Sequence, residues 1–112
     1  MSIIELNNLK LKTFTEQDVL DYCQINNINY NDIIYLDLNE NELTDIRGIK
    51  LFKNLKELYL IYNKLTDISV LKDLNYIKEL WLYENKIKDI SVIKYLTNLE
   101  TLDIRYLQLE SD

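Results

Sequence analysis

The sequence predicts a short single-domain α/β solenoid, and three observations carry that expectation. Apolar residues recur with a period of 22 residues, each period opens on an alternating strand-like segment, and each closes on apolar residues spaced i, i+3 as in a helical turn. Residues 33–54 read IIYLDLNENELTDIRGIKLFKN, residues 55–76 read LKELYLIYNKLTDISVLKDLNY, and residues 77–98 read IKELWLYENKIKDISVIKYLTN. An incomplete fourth line, 99–112, reads LETLDIRYLQLESD. The three full lines share the pattern L-x-x-L-x-L-x-x-N-x-L, with Ile in some Leu slots.

Each column of the repeat has a physical task. Leu36, Leu58, Leu80 and Leu102 form one apolar column, and Leu38, Leu60, Leu82 and Ile104 form a second. The period of two around them marks a short strand with these side chains inward. Asn41, Asn63 and Asn85 end the strands. A buried amide is tolerated only when its donors and acceptor are satisfied, so a ladder of Asn bonded to neighbouring turns is expected. Leu43, Leu65 and Ile87, then Ile46, Ile68 and Ile90, fill the far side of each coil. Asp45, Asp67 and Asp89, with Ser69 and Ser91, suit caps of short helical turns. Ile49/Phe52, Leu71/Leu74 and Ile93/Leu96 place the apolar face of each turn on the core.

The segments LTDISVL (65–71) and IKDISVI (87–93), set between the strand patterns, resemble the 22-residue class of leucine-rich repeats found in internalins and in phosphatase-regulatory repeat proteins. The resemblance covers about 80 residues. Those families often carry Pro where Val70 and Val92 stand here. The resemblance implies a curved stack with a parallel sheet on the concave side and helical or 3-10 turns on the convex side. It also implies protein binding rather than catalysis, and it leaves the partner open because one fold hosts many functions.

Residues 1–32 fall outside the repeat and read as an N-terminal cap. Thr15-Glu16-Gln17-Asp18 offers an N-cap followed by acids, with Val19, Leu20 and Cys23 as a short apolar face, so a helix is expected over about 15–26. An extended segment carrying Leu6, Leu9 and Leu11 precedes it. Its expected role is to shield the first repeat, because terminal repeats need covering. At the other end Leu107 takes the Asn position and no capping helix follows. Glu110 and Asp112 are expected to keep that edge soluble, the sharper alternative being that a second copy or a partner covers it.

Composition excludes several classes. The chain has no His and no Pro, one Gly and one Cys. The missing His removes the common triads and histidine metal sites, and one Gly excludes Gly-rich phosphate loops. No cofactor and no metal are therefore expected, and the protein is expected not to be an enzyme. Cys23 reads as a buried thiol. With 19 acids, 13 bases and a net charge of -6, the chain lacks the basic stripe of a nucleic-acid binder, so no direct nucleic-acid binding is expected. Without a signal-peptide pattern or a long apolar run, the expectation is a cytoplasmic protein that does not enter a membrane.

The outward strand positions carry the candidate partner-binding residues. One column holds Tyr35, Glu57, Glu79 and Thr101, and the next holds Asp37, Tyr59, Trp81 and Asp103. Beyond them come Asn39, Ile61, Tyr83 and Arg105, then Glu40, Tyr62, Glu84 and Tyr106. Clustered aromatics beside acids predict a binding face, since Tyr and Trp supply rigid contact area with a polar handle. Glu57 and Glu79 are expected to face each other across neighbouring strands, with Lys56 and Lys78 offsetting the repulsion. The partner expected is a protein with a basic or mixed patch, its Lys or Arg stacked on Trp81 and Tyr59 and paired to Glu57, Glu79, Asp37 or Asp103. The alternative is a small acidic inhibitor, phage- or virus-encoded, covering the basic groove of a nucleic-acid-handling or defence enzyme.

Overall fold

Leu36, Leu58 and Leu80 stack directly because each is the middle residue of a three-residue strand paired in register with the next coil. The computed structural model describes residues 1–109, and the expectation for Glu110 and Asp112 lies outside them. Five strands, β1 (Ile3–Glu5), β2 (Tyr35–Asp37), β3 (Glu57–Tyr59), β4 (Glu79–Trp81) and β5 (Thr101–Asp103), form one parallel sheet in chain order. The return paths carry 3-10 helices at Arg47–Leu51, Ser69–Asp73 and Ser91–Tyr95. No helix among the described residues is long and apolar enough to cross a membrane.

The core is the inside of this coil. Both strand columns are sealed in the middle coils, where Leu36, Leu38, Leu58, Leu60, Leu80 and Leu82 have no solvent exposure. Leu102 and Ile104 of the coil that carries β5 are only partly buried. Each coil thus buries its apolar face against the next one, as stacked repeats must.

The Asn ladder is present, and it works across coils. Asn63 donates to Leu38 O at 3.0 Å and Leu60 O at 3.2 Å, and accepts from Leu43 N at 3.1 Å. Asn85 repeats this one coil on, donating to Leu60 O and Leu82 O and accepting from Leu65 N. The residue before each Asn position, Glu40, Tyr62, Glu84 or Tyr106, has φ between 54° and 58°. The strands therefore stop earlier than the alternation implies, and the chain turns through a left-handed residue to present the amide inward.

Residues 1–32 form a coil of their own, stacked on the first full repeat. β1 pairs with β2 in register, Ile4 opposite Leu36. Leu6 O accepts from Asn41 Nδ2, while Leu9 N and Leu11 N donate to Asn41 Oδ1. This coil takes 32 residues from Ile4 to Leu36 instead of 22, because an α-helix, α1 (Glu16–Ile25), stands where later coils use a 3-10 helix. Thr15 Oγ1 accepts from Asp18 N, and Asp18 Oδ2 accepts from Thr15 N, closing a capping box. Val19 and Cys23 point from α1 into the core.

The Asp corners fix the start of each 3-10 helix. Asp45, Asp67 and Asp89 accept from the backbone N–H two residues on, at Arg47, Ser69 and Ser91, at 2.8 to 3.0 Å. The Arg47 side chain first, then its backbone N–H, holds the Asp45 carboxyl below its ordinary value. The N–H groups of Ser69 and Ser91 do the same for Asp67 and Asp89, and that of Thr15 for Asp18. A carboxylate depressed in the fold contributes stability that is present above its unfolded pKa and lost as pH falls through the folded one. The denaturation midpoint is expected to hold down to about pH 5 and to fall below about pH 4. Replacing Asp67 and Asp89 with Asn should flatten that decline; an acid limb unchanged by the double replacement would mean these corners contribute nothing.

Candidate functional site

The outward residues of β2 to β5 and the turn after each strand converge on one face, arranged as two aromatic rows. In the first, the Tyr35 and Tyr59 rings lie 5.1 Å apart and Tyr59 stacks on Trp81 at 6.1 Å and 8°. In the second, Tyr83 meets Tyr62 at 5.3 Å and Tyr106 at 5.2 Å, both edge to face. The in-register strands produce the first row, and the left-handed turns at Tyr62 and Tyr106 swing those rings toward Tyr83 to produce the second. Tyr62 and Tyr106 are exposed, whereas Tyr35, Tyr59, Trp81 and Tyr83 are half-buried by one another.

Glu57 and Glu79 stand directly opposite each other on β3 and β4. Their repulsion is eased from within the face, and not by Lys56 and Lys78, which make no ion pair among the described residues. Tyr59 Oη donates to Glu57 Oε1 at 2.8 Å and Trp81 Nε1 donates to Glu79 Oε1 at 3.2 Å. Side chains two apart on a strand share a face, whereas Lys56 and Lys78 precede their strands and lie off it. Burial first, then the bond to Glu57, pushes the Tyr59 phenol above its ordinary value, so it remains a donor.

Not every acid on the face is free. Arg105 grips Asp103 through Nε at 3.0 Å and Nη2 at 2.8 Å, and Asp103 is 7% exposed. That guanidinium holds the Asp103 carboxyl below its ordinary value. Arg105 also lies over the Tyr83 ring at 4.9 Å, extending the second row. Asp37 Oδ1 accepts from Asn39 N, and Asn39 Oδ1 accepts from Ile61 N, so these two brace the backbone. Ile61, one repeat before Tyr83, is half-buried, and Glu84, one repeat before Tyr106, is exposed.

The first coil adds what the repeat period did not reveal. β1 extends the face by one strand and places Glu5 beside Asp37 and Ile3 beside Tyr35. With Glu5 and Glu40, the face carries seven carboxylates, the others being Asp37, Glu57, Glu79, Glu84 and Asp103, against the single base Arg105. That excess of six equals the formal charge of the whole chain, and the other twelve acids, two of them outside the described residues, are equalled in number by the other twelve bases. The signal for β1 was in the sequence: Ile4-x-Leu6-x4-Leu11-x2-Phe14 has the spacing of Leu36-x-Leu38-x4-Leu43-x2-Ile46.

A family model described as leucine-rich repeats in two copies matches residues 32–73. Together with the in-register coil and its Asn ladder, that decides the family. The chain is a leucine-rich-repeat protein. An internalin from Listeria monocytogenes is similar at 32% identity and a TM-score of 0.68, over 70% of this chain and 23% of its own. Internalin C2 of the same organism is similar at 28% identity and 0.70, over 72% of this chain and 36% of its own. A leucine-rich-repeat protein from Leptospira interrogans is similar at 26% identity and 0.71, over 99% of this chain and 33% of its own. The chain thus spans about a quarter to a third of the length of these structures. No curated protein sequence matches it. Leucine-rich-repeat proteins generally mediate protein–protein interaction and are typically non-catalytic. Among the described residues no cluster of three or more metal-ligating side chains is present.

Proposed function

We propose that this leucine-rich-repeat chain is a non-catalytic module that binds a partner protein through its aromatic, acidic concave face. One observation carries the reading: an excess of six acids, as large as the net charge of the chain, lies on the face that also gathers its only Trp and five of its nine Tyr. Aromatic rows supply dehydrated contact area, and a one-signed field around them favours a basic partner and speeds its encounter. Glu57 and Glu79, aligned and half-buried, are the acids best placed to gain from an incoming Lys or Arg.

Affinity capture with the wild type beside Trp81→Ala and Glu79→Lys tests this. Partners held by the wild type are expected to be lost with both variants, and Glu79→Lys should lose them more steeply as salt rises. Retention of the same partners by both variants would remove the face from the interaction. The segregated charge also favours a narrower role: an inhibitor that occupies the basic groove of a nucleic-acid-handling or defence enzyme. That role requires the captured partner to release nucleic acid when this protein is added.

A further inference from the structure

The two aromatic rows have a spacing that selects a shape of partner. Their ring-to-ring steps are 5.1, 6.1, 5.3 and 5.2 Å. An α-helix laid across the strands, along the solenoid axis, presents one side chain per turn at about 5.4 Å. An extended segment presents same-side residues at about 6.6–6.8 Å, and falls out of step by more than an ångström per coil. The face is wide enough to seat one: with the turn residues that carry the second row, each coil spans at most about 16 Å, against the roughly 10–12 Å diameter of a helix with its side chains. From Tyr35 to Tyr106 the rows cross four coils, about 14 Å, or roughly three helical turns.

We infer that the face receives a single basic amphipathic helix, lying along the solenoid axis. Two of its Lys or Arg residues, spaced i, i+4, meet Glu57 and Glu79 on successive strands, beside the Trp81 ring. Charge complementarity fixes the sign of that helix. Its apolar flank rests on Ile61 and the second aromatic row, the pattern of a helix held in a groove.

This inference rests on the concave-face reading, and the test separates the two. The probes are two alanine-based peptides of about 16 residues with the same four arginines. One is helical, with arginines at i, i+4, i+7 and i+11; the other places them at every second residue around a central proline, so it cannot form a helix. Trp81 is the sole Trp, so intrinsic fluorescence reports binding at the face directly. The helical peptide should bind at least about tenfold more tightly, and a Glu57→Gln/Glu79→Gln variant should lose at least about tenfold of that affinity. Equal or tighter binding of the extended peptide at Trp81 would overturn the helix and leave the acidic face standing. If neither peptide perturbed Trp81, both the helix and the basic-partner reading would fall.

Discussion

Replacing Gly48 with valine is expected to destabilise the fold by about 3 kcal/mol, at the upper end of overpacking costs, with alanine costing about 2. The equivalent position is Val70 in the next repeat and Val92 in the one after, so the change only makes the repeat uniform. The reason lies in α1. A Cβ on Gly48 would overlap the Thr15 carbonyl oxygen and lie 2.6 Å from both the Thr15 carbonyl carbon and Val19 Cγ2. Gly48 N donates to Phe14 O at 2.8 Å, which ties the two segments at this distance. Thr15 caps α1 and Val19 is fully buried beneath it, so neither can retreat without opening the first coil.

The effect should be local in origin. Stacked repeats interact only with their neighbours, so displacement of α1 uncovers the interior of the second coil and little else. Chemical denaturation of Gly48→Val is expected to show a lower midpoint, and the helical signal of α1 should melt early. Val70→Gly serves as the mirror control, since Val70 is half-buried and no α-helix covers it. A Gly48→Val protein within about 0.5 kcal/mol of the wild type would mean that α1 is not held tightly on the Arg47–Leu51 turn.

Position 48 also shows why parts of this molecule could be read from sequence and others could not. Strand register, the two Leu columns and the Asn ladder follow from a strict 22-residue period, because identical coils must stack identically. The first coil escapes that period by ten residues, the difference between an α-helical return and a 3-10 one, and Leu9 replaces its Asn. Without β1, neither Glu5 nor the reason for the single glycine could be placed. The aromatic columns were legible in the alternation, but their hydrogen bonds to Glu57 and Glu79 were not, since those depend on side-chain reach along one strand. The pairing of Asp103 with Arg105 depends on the same reach, and it withdraws one of the acids expected to be free.

The replacement of Asn63 with leucine should cost about 2–3 kcal/mol, the upper range for one buried N–H left without an acceptor. The side chain is similar in size and the site is 7% exposed, so volume is not the main issue. Leucine removes the acceptor of Leu43 N–H and the donor to Leu38 O, both in the preceding coil. A buried backbone group left unpaired costs about 1–3 kcal/mol; Leu43 N–H is stranded, whereas Leu38 O keeps its bond from Asn41 Nδ2 at 3.0 Å. The fourth line already holds leucine at this position, and the contrast explains why it is tolerated there. Leu107 offers no amide to Ile87 N–H or Leu82 O, yet the neighbouring bond from Gln108 N to Ile87 O is retained at 3.1 Å. Leu102 and Ile104 of that coil are only partly buried, so water can reach groups that are sealed around Asn63. Leu107→Asn is therefore expected to remain within about 1 kcal/mol of the wild type, its new bonds offsetting the lost apolar contact. Equal costs for Asn63→Leu and Leu107→Asn in urea denaturation would show that the ladder adds nothing beyond packing.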